Sequence, residues 1–275
     1  MYTAGLVARL VVLLTLVAGC APATTTADGP LPISVLGRIR AKGELVVGTA
    51  ASMPPLNMTT KTGEIIGLEI DLAQAMADAM KVKLRLSAMP FSDLLPALEA
   101  GQVDVILSGM TMTPERNMKF AFVGPYLTSG KSFLAKEATV ASSKGSADLN
   151  TPEMRLAVLR GSTSEAFVRE NMPRATLVST KDYDEAIILL MQDKIDAMIA
   201  DLPACLFAVR RYPDRGLFAL ETPLTHEPIG IALSGNDPLL LNWTQNWLRE
   251  LETTGALERT TDRWFKDTAW LKRLP

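Results

Sequence analysis

From Glu44 onward, short apolar runs alternate with stretches whose apolar residues recur every three or four positions. The runs 45–48, 103–107, 156–159, 175–178 and 195–200 are too short for helices and predict strands. Val82-Lys83-Leu84-Arg85-Leu86 alternates and predicts a strand with one wet face. Leu72, Ala73, Met76 and Met80 predict a helix over 69–80, and Ala186, Ile187, Leu190 and Met191 predict one over 184–192. A short helix capped by Ser92 and stopped by Gly101 fits between. Near the end, 229–233 reads as a strand, followed by two helices carrying Trp243, Trp247, Leu248, Leu251, Trp264 and Phe265, aromatics at core spacing.

The plan occurs twice. Gly101-Gln102-Val103-Asp104-Val105-Ile106 and Asp193-Lys194-Ile195-Asp196-Ala197-Met198 hold matching places in two successive units. Strand–helix alternation predicts parallel sheets covered by helices, and two units predict two lobes. Ligands of such sheets sit beyond the carboxyl ends of the strands. Three polar clusters fall there: 108–116, 161–165 and Asp201.

The first cluster, Ser108-Gly109-Met110-Thr111-Met112-Thr113-Pro114-Glu115-Arg116, joins a strand end to a helix start. Thr113 suits the N-cap, Pro114 the first helical position and Glu115 the positive end of the dipole. Hydroxyls, exposed N–H groups and the donor fork of Arg116 make an anion site of carboxylate size. A plain helix cap with a solvated arginine is the competing reading. In the second cluster, Ser162 and Glu165 have the spacing of a capping box. Asp201, at a strand end, reads either as part of this polar site or as a cap for the helix after it, and Phe91, at a strand-to-helix junction, reads as core.

Length and charge narrow the partners. The 275 residues suggest about two domains. A formal net charge of −2 without any Lys/Arg run argues against a nucleic-acid surface. One histidine, His226, and two cysteines leave almost no means of building a His/Cys zinc site, and no metal or cofactor is expected. His226 reads as structural or solvent-exposed, and Cys205, in an apolar stretch, as a small buried hydrophobe.

At the N-terminus, Arg9 precedes an apolar core over 10–18 that is too short to span a bilayer. It suits a signal peptide over 1–19. Leu16-Val17-Ala18-Gly19-Cys20 resembles a bacterial lipobox, which implies lipid modification of Cys20; a plain signal peptide with an incidental cysteine is the alternative. Residues 20–42 read as a tether, rich in Thr, Ala and Pro at its start.

In order and spacing, the chain from about residue 44 to 265 resembles the family 3 solute-binding proteins of bacterial amino-acid transporters. The marks are Gly48-Thr49 with Pro54-Pro55, Gly67-Leu68-Glu69-Ile70-Asp71-Leu72, Met110-Thr111-Met112-Thr113-Pro114-Glu115-Arg116, Gly124-Pro125-Tyr126, Gly161-Ser162-Thr163 and the strand ending at Asp201. The resemblance implies an α/β, two-lobed, type II periplasmic-binding-protein-like fold. Each lobe would be a mainly parallel sheet with flanking helices, with lobe 1 over 43–129 plus 227–275, lobe 2 over 130–226, and a two-strand hinge.

It also implies a ligand shell. Arg116 would hold an α-carboxylate, with Ser108, Thr111, Thr163 and Ser162 around it. Asp201 would accept from the α-ammonium, and Phe91 and Met53 would cover the side chain. Met53 stands where the family usually has an aromatic. Ala50 stands where binders of basic amino acids often carry an acid, which points to a neutral amino acid. The implied partners are the permease subunits of an ABC transporter, with the protein monomeric and lipid-anchored at the periplasmic or extracellular face of the cell envelope. A cyclohexadienyl dehydratase-like enzyme, using Glu165 as general acid, and a ligand-sensing lipoprotein are the competing functions.

Overall fold

The computed structural model describes residues 34–142 and 149–275. The expected signal segment and Cys20 lie outside the described residues. The tether expected over 20–42 does not extend that far. Its last part is helix α1 (Val35–Lys42), because the Thr/Ala/Pro-rich stretch ends by Pro32 and a capping serine follows. Ser34 Oγ accepts from the Gly37 N–H at 3.0 Å, Gly43 closes the helix in a left-handed conformation, and Ile39 is buried.

The chain continues through β1 (Glu44–Thr49) and a small antiparallel sheet of β2 (Ser52–Met53), β3 (Asn57–Thr59) and β4 (Ile65–Ile66). Then follow α2 (Leu68–Met80), β5 (Lys83–Ala88), α3 (Phe91–Glu99), β6 (Val105–Ile106), α4 (Pro114–Asn117) and the long β7 (Phe120–Ser129). Beyond Gly130 come β8 (Lys131–Lys136), α5 (Glu137–Ser142), β9 (Arg155–Leu159), α6 (Thr163–Asn171), β10 (Thr176–Thr180), α7 (Tyr183–Met191), β11 (Ala197–Asp201), α8 (Leu202–Arg211) and β12 (Leu217–Ala219). The chain returns through β13 (Glu227–Ser234), α9 (Pro238–Thr253), α10 (Ala256–Lys266) and a 3-10 turn, Ala269–Arg273.

Two five-stranded sheets form the two lobes, in the orders β5-β1-β6-β13-β7 and β10-β9-β11-β8-β12. Each is mixed. β5, β1 and β6 run parallel, as do β10, β9 and β11, while the other two strands of each sheet join antiparallel. The antiparallel strands are those that carry the chain between lobes. β7 leads through Gly130 into β8, and the segment after β12 leads back into β13. Where they cross, Lys131 N donates to Thr225 Oγ1 at 2.8 Å and Leu224 N to the Lys131 carbonyl at 2.7 Å. Gly130 is required there, since a Cβ would lie 1.9 Å from the Thr225 carbonyl oxygen.

Central strands are buried on both faces, as helix-covered sheets demand. In β9, Leu156 and Val158 pack with Val168 and Met172 on one side, while Ala157 and Leu159 join the larger core on the other. Trp247 and Trp264 are core, and Cys205 is buried, its thiol pushed up to about 12 by desolvation. His226 is exposed. One local expectation fails: α3 begins at Phe91 behind Pro90, so Ser92 sits in the first turn and its hydroxyl bonds Asp93 at 3.0 Å instead of capping.

Candidate functional site

The site lies between the two sheets, where their strand ends face each other. Thr113 caps α4, its Oγ1 accepting from the Arg116 N–H at 3.2 Å, with Pro114 in the first turn as expected. This short turn aims Arg116 across the cleft. Its Nη1 donates to the Thr111 carbonyl at 2.8 Å, and its Nη2 reaches the Gly161 carbonyl of the other lobe at 3.3 Å. The guanidinium carbon lies 5.9 Å from the Phe91 ring centroid, a cation–π distance. Phe91 is buried, so it serves the core and the site together.

The loop before α4 is held by a buried acid. Glu69, on the first turn of α2, accepts from Asn57 Nδ2 and the Gly109 N–H, each at 2.5 Å, and from the Tyr126 hydroxyl. Burial raises its pKa, partly offset by those three donors. Gly109 has φ +58 and lies against Met53, whose sulfur would be 2.3 Å from an added Cβ. Met53 therefore supports the loop from below. Ser108 is buried, and its Oγ accepts from the Ala50 N–H at 2.8 Å, joining the ends of β1 and β6.

On the opposite lobe, Ser162 caps α6. Its Oγ accepts from the Glu165 N–H at 3.2 Å and donates to the Leu159 carbonyl at 2.6 Å. The Glu165 carboxylate takes the Gly161 N–H at 2.7 Å, Ser179 Oγ at 2.8 Å and Arg169 at 2.8 Å. Burial alone would raise Glu165, but these donors outweigh it and hold the carboxyl below its ordinary value. Thr163, at the start of α6, points across the cleft, its Oγ1 3.4 Å from Thr111 Oγ1. Asp201 makes no side-chain cap to α8. It is buried, and Lys131 Nζ donates to its Oδ1 at 3.0 Å, with the Tyr183 hydroxyl 3.4 Å from Oδ2.

Lys131 and Glu227 were not read from the sequence. Lys131 is 1% exposed and sits opposite Asp201 in the β8–β11 register. Its Nζ also donates to Glu227 Oε2 at 2.8 Å. That oxygen accepts from Thr111 Oγ1 at 3.0 Å and Thr163 Oγ1 at 2.9 Å as well. Burial opposes ionisation of Glu227, but the Lys131 charge and hydrogen bond and the two threonines outweigh it and lower its pKa. Arg116 is lowered by burial, against the raising fields of Glu227 and Asp201. A lysine directly after the Ser129-Gly130 turn was the available signal, but its partners lie 70 and 96 positions away.

Two cavities open among these elements. One of about 550 Å³ is bordered by Arg116, Ser162, Thr163, Glu165 and Arg169. The other, about 260 Å³, is bordered by Ala50, Ser52, Pro54, Asp182, Asp184 and Arg211. In the second, Asp184 is paired with Arg211 at 2.7 Å and Asp182 caps α7.

Two α/β lobes on two crossing strands, with cationic, hydroxyl and acidic groups converging from both sides, define a cleft that binds small polar solutes. The sequence pattern of the bacterial extracellular solute-binding proteins, family 3, matches residues 45–267, and the chain belongs to that family. It is 28% identical over 224 residues to the ABC transporter arginine-binding protein 1 of Escherichia coli (strain K12), covering 79% of this chain and 89% of the relative. It is 25% identical over 231 residues to the L-cystine-binding protein TcyJ of the same strain, covering 84% and 86%. Among solved structures, the ancestral amino acid-binding protein AncCDT-1, a precursor of cyclohexadienyl dehydratase, matches with a TM-score of 0.78 and 35% identity, covering 84% of this chain and 100% of that one.

Proposed function

We propose that this protein binds an amino acid between its two lobes and delivers it to the permease of an ABC transporter. The observation that carries the reading is the division of the site. Arg116 and Thr111 come from one lobe, Thr163 and Asp201 from the other; Arg116 reaches the Gly161 carbonyl, Thr111 and Thr163 share Glu227 Oε2, and Asp201 joins them through Lys131. A zwitterion presents a carboxylate for Arg116 and the threonines and an ammonium for Asp201. Each charge-assisted hydrogen bond contributes about 1.5–3 kcal/mol. Several of them, with a covered side chain, reach the roughly −8 kcal/mol of a micromolar complex after association costs. A ligand held from both sides favours closure of lobe 1 (43–129 plus 227–275) on lobe 2 (130–226).

The favoured ligand is a neutral amino acid. Ala50 brings no charge to the cleft, and the nearby Asp184 is already paired with Arg211. The names of the relatives span a cationic and an uncharged ligand, so this choice rests on the residues of this chain. Cys20, after its short apolar run, is the proposed lipid attachment that holds the protein at the membrane.

The dehydratase reading needs a proton donor in the cleft. Glu165, the candidate, is held ionised by the Gly161 N–H, Ser179 and Arg169, the wrong state for a general acid. The test of the binding reading is Arg116→Ala. It is expected to raise Kd by about a hundredfold or more while the ligand-free melting curve stays cooperative. An unchanged ligand-induced rise in melting temperature would refute it.

A further inference from the structure

Four buried or half-buried charges meet at the lobe junction: Arg116 and Lys131 as cations, Asp201 and Glu227 as anions. The arrangement is balanced within the protein. Lys131 is fixed between the two carboxylates at 3.0 and 2.8 Å, and the Asp201–Lys131 register of adjacent strands leaves it little freedom. Arg116, in the same lobe as Glu227 and opposite Asp201, lies in the fields of both carboxylates. A carboxylate is thus already seated on Thr111 and Thr163, and an ammonium on Asp201, in the pattern of a bound zwitterion.

Charge is costly to bury unless it is matched. A ligand with no net charge enters this junction without upsetting the balance. Arg116 can take the ligand's α-carboxylate and Asp201 its α-ammonium beside Lys131 with no change in net charge, whereas a basic side chain adds a further cation that Asp201 and Glu227, already matched by Lys131 and Arg116, do not balance. The acids flanking the far cavity do not balance it either, with Asp184 bound to Arg211 and Asp182 capping α7.

We propose that Lys131 is a specificity-determining residue of the amino-acid site: it supplies the second cation that Asp201 and Glu227 would otherwise draw from a basic ligand, and so biases the site toward ligands of zero net charge. This rests on the amino-acid reading above and names the ligand class within it. Removing Lys131 leaves two carboxylates against one guanidinium. Removing the Glu227 charge leaves two cations against one carboxylate. The two changes must therefore shift preference in opposite directions.

The test is calorimetry with glutamine, arginine and glutamate, probes of similar length and different charge, on wild type, Lys131→Met and Glu227→Gln. Lys131→Met is expected to bind arginine about tenfold or more tighter, relative to glutamine, than wild type does. Glu227→Gln is expected to move the glutamate-to-glutamine ratio by a similar factor toward glutamate. If Lys131→Met fails to fold, the Glu227→Gln shift decides alone. Binding in which both ratios stay at their wild-type values overturns the role of Lys131 and leaves the amino-acid reading standing. A wild-type protein that responds to none of these probes or to any other amino acid overturns both.

Discussion

One carboxylate oxygen, Glu227 Oε2, accepts from a lysine of the second sheet and from threonines on both sides of the cleft. Its depressed pKa makes the junction acid-sensitive. A carboxyl whose folded value is lowered contributes stability above its unfolded value, and that stability is lost as pH falls through the folded value. The melting temperature of Glu227→Gln should therefore lie below that of wild type at pH 7, and the gap should narrow as pH falls below the ordinary Glu value of about 4.3 and vanish only below the lowered folded value. A gap that is constant with pH would contradict the assignment.

At this scale the sequence was informative where a residue ends an apolar run. Thr111 and Arg116 lie in the polar loop and helix start after 103–107, Thr163 soon after 156–159 and Asp201 directly after 195–200, and the structure gathers the first three, with Asp201 joined to them through Lys131. Ser162 was legible as a cap, and its hydroxyl is engaged there. Lys131 and Glu227 were not legible, because what gives them meaning is the register of β8 on β11 and the crossing of the hinge strands. Periodicity reports faces, not partners.

At the scale of elements, the repeated plan has a physical cause. Asp104 and Asp196, matched in the sequence, do the same work before β6 and β11. Asp104 accepts from the Val46 N–H at 2.9 Å and from Arg38 at 2.7 Å. Asp196 accepts from the Arg155 N–H at 2.8 Å and from its guanidinium at 3.0 and 2.8 Å. Each aspartate anchors the neighbouring parallel strand, so each unit fixes its own register. The mixed character of the sheets was harder to read, since an apolar strand looks alike in either direction.

The C-terminal turn Ala269–Arg273 is a second element whose place no periodicity announced. Trp270 lies 4.9 Å from Phe207 of α8, and its indole N–H donates to the Trp264 carbonyl at 3.1 Å. Arg273 pairs with Glu64 beside β4, and Arg211 of α8 donates to the Pro275 carbonyl at 2.8 Å. The tail thus straps helix α8 of one lobe to the small sheet and α10 of the other. Trp270→Ala should cost about 3 kcal/mol or more, from lost packing of a large aromatic. A denaturation midpoint equal to that of wild type would show that the strap is not integral to the fold.

Buried Glu69 fixes the loop at Gly109, the loop and the Thr113 cap aim Arg116, the hinge crossing at Gly130 brings Lys131 and Glu227 beside it, and β11 delivers Asp201. The outcome is a small polar cleft whose four central charges cancel, shared between two lobes joined by two crossing strands. A ligand that bridges such a cleft stabilises the folded protein the more, the tighter it binds.

The most direct test is a thermal-shift panel of the common amino acids on the wild-type protein, followed by calorimetry of each that responds. The account predicts that one or a few neutral amino acids raise the melting temperature and bind with micromolar or tighter Kd, about −8 kcal/mol or better. Arginine or lysine binding more tightly than every neutral amino acid, or no amino acid binding at all, would contradict it.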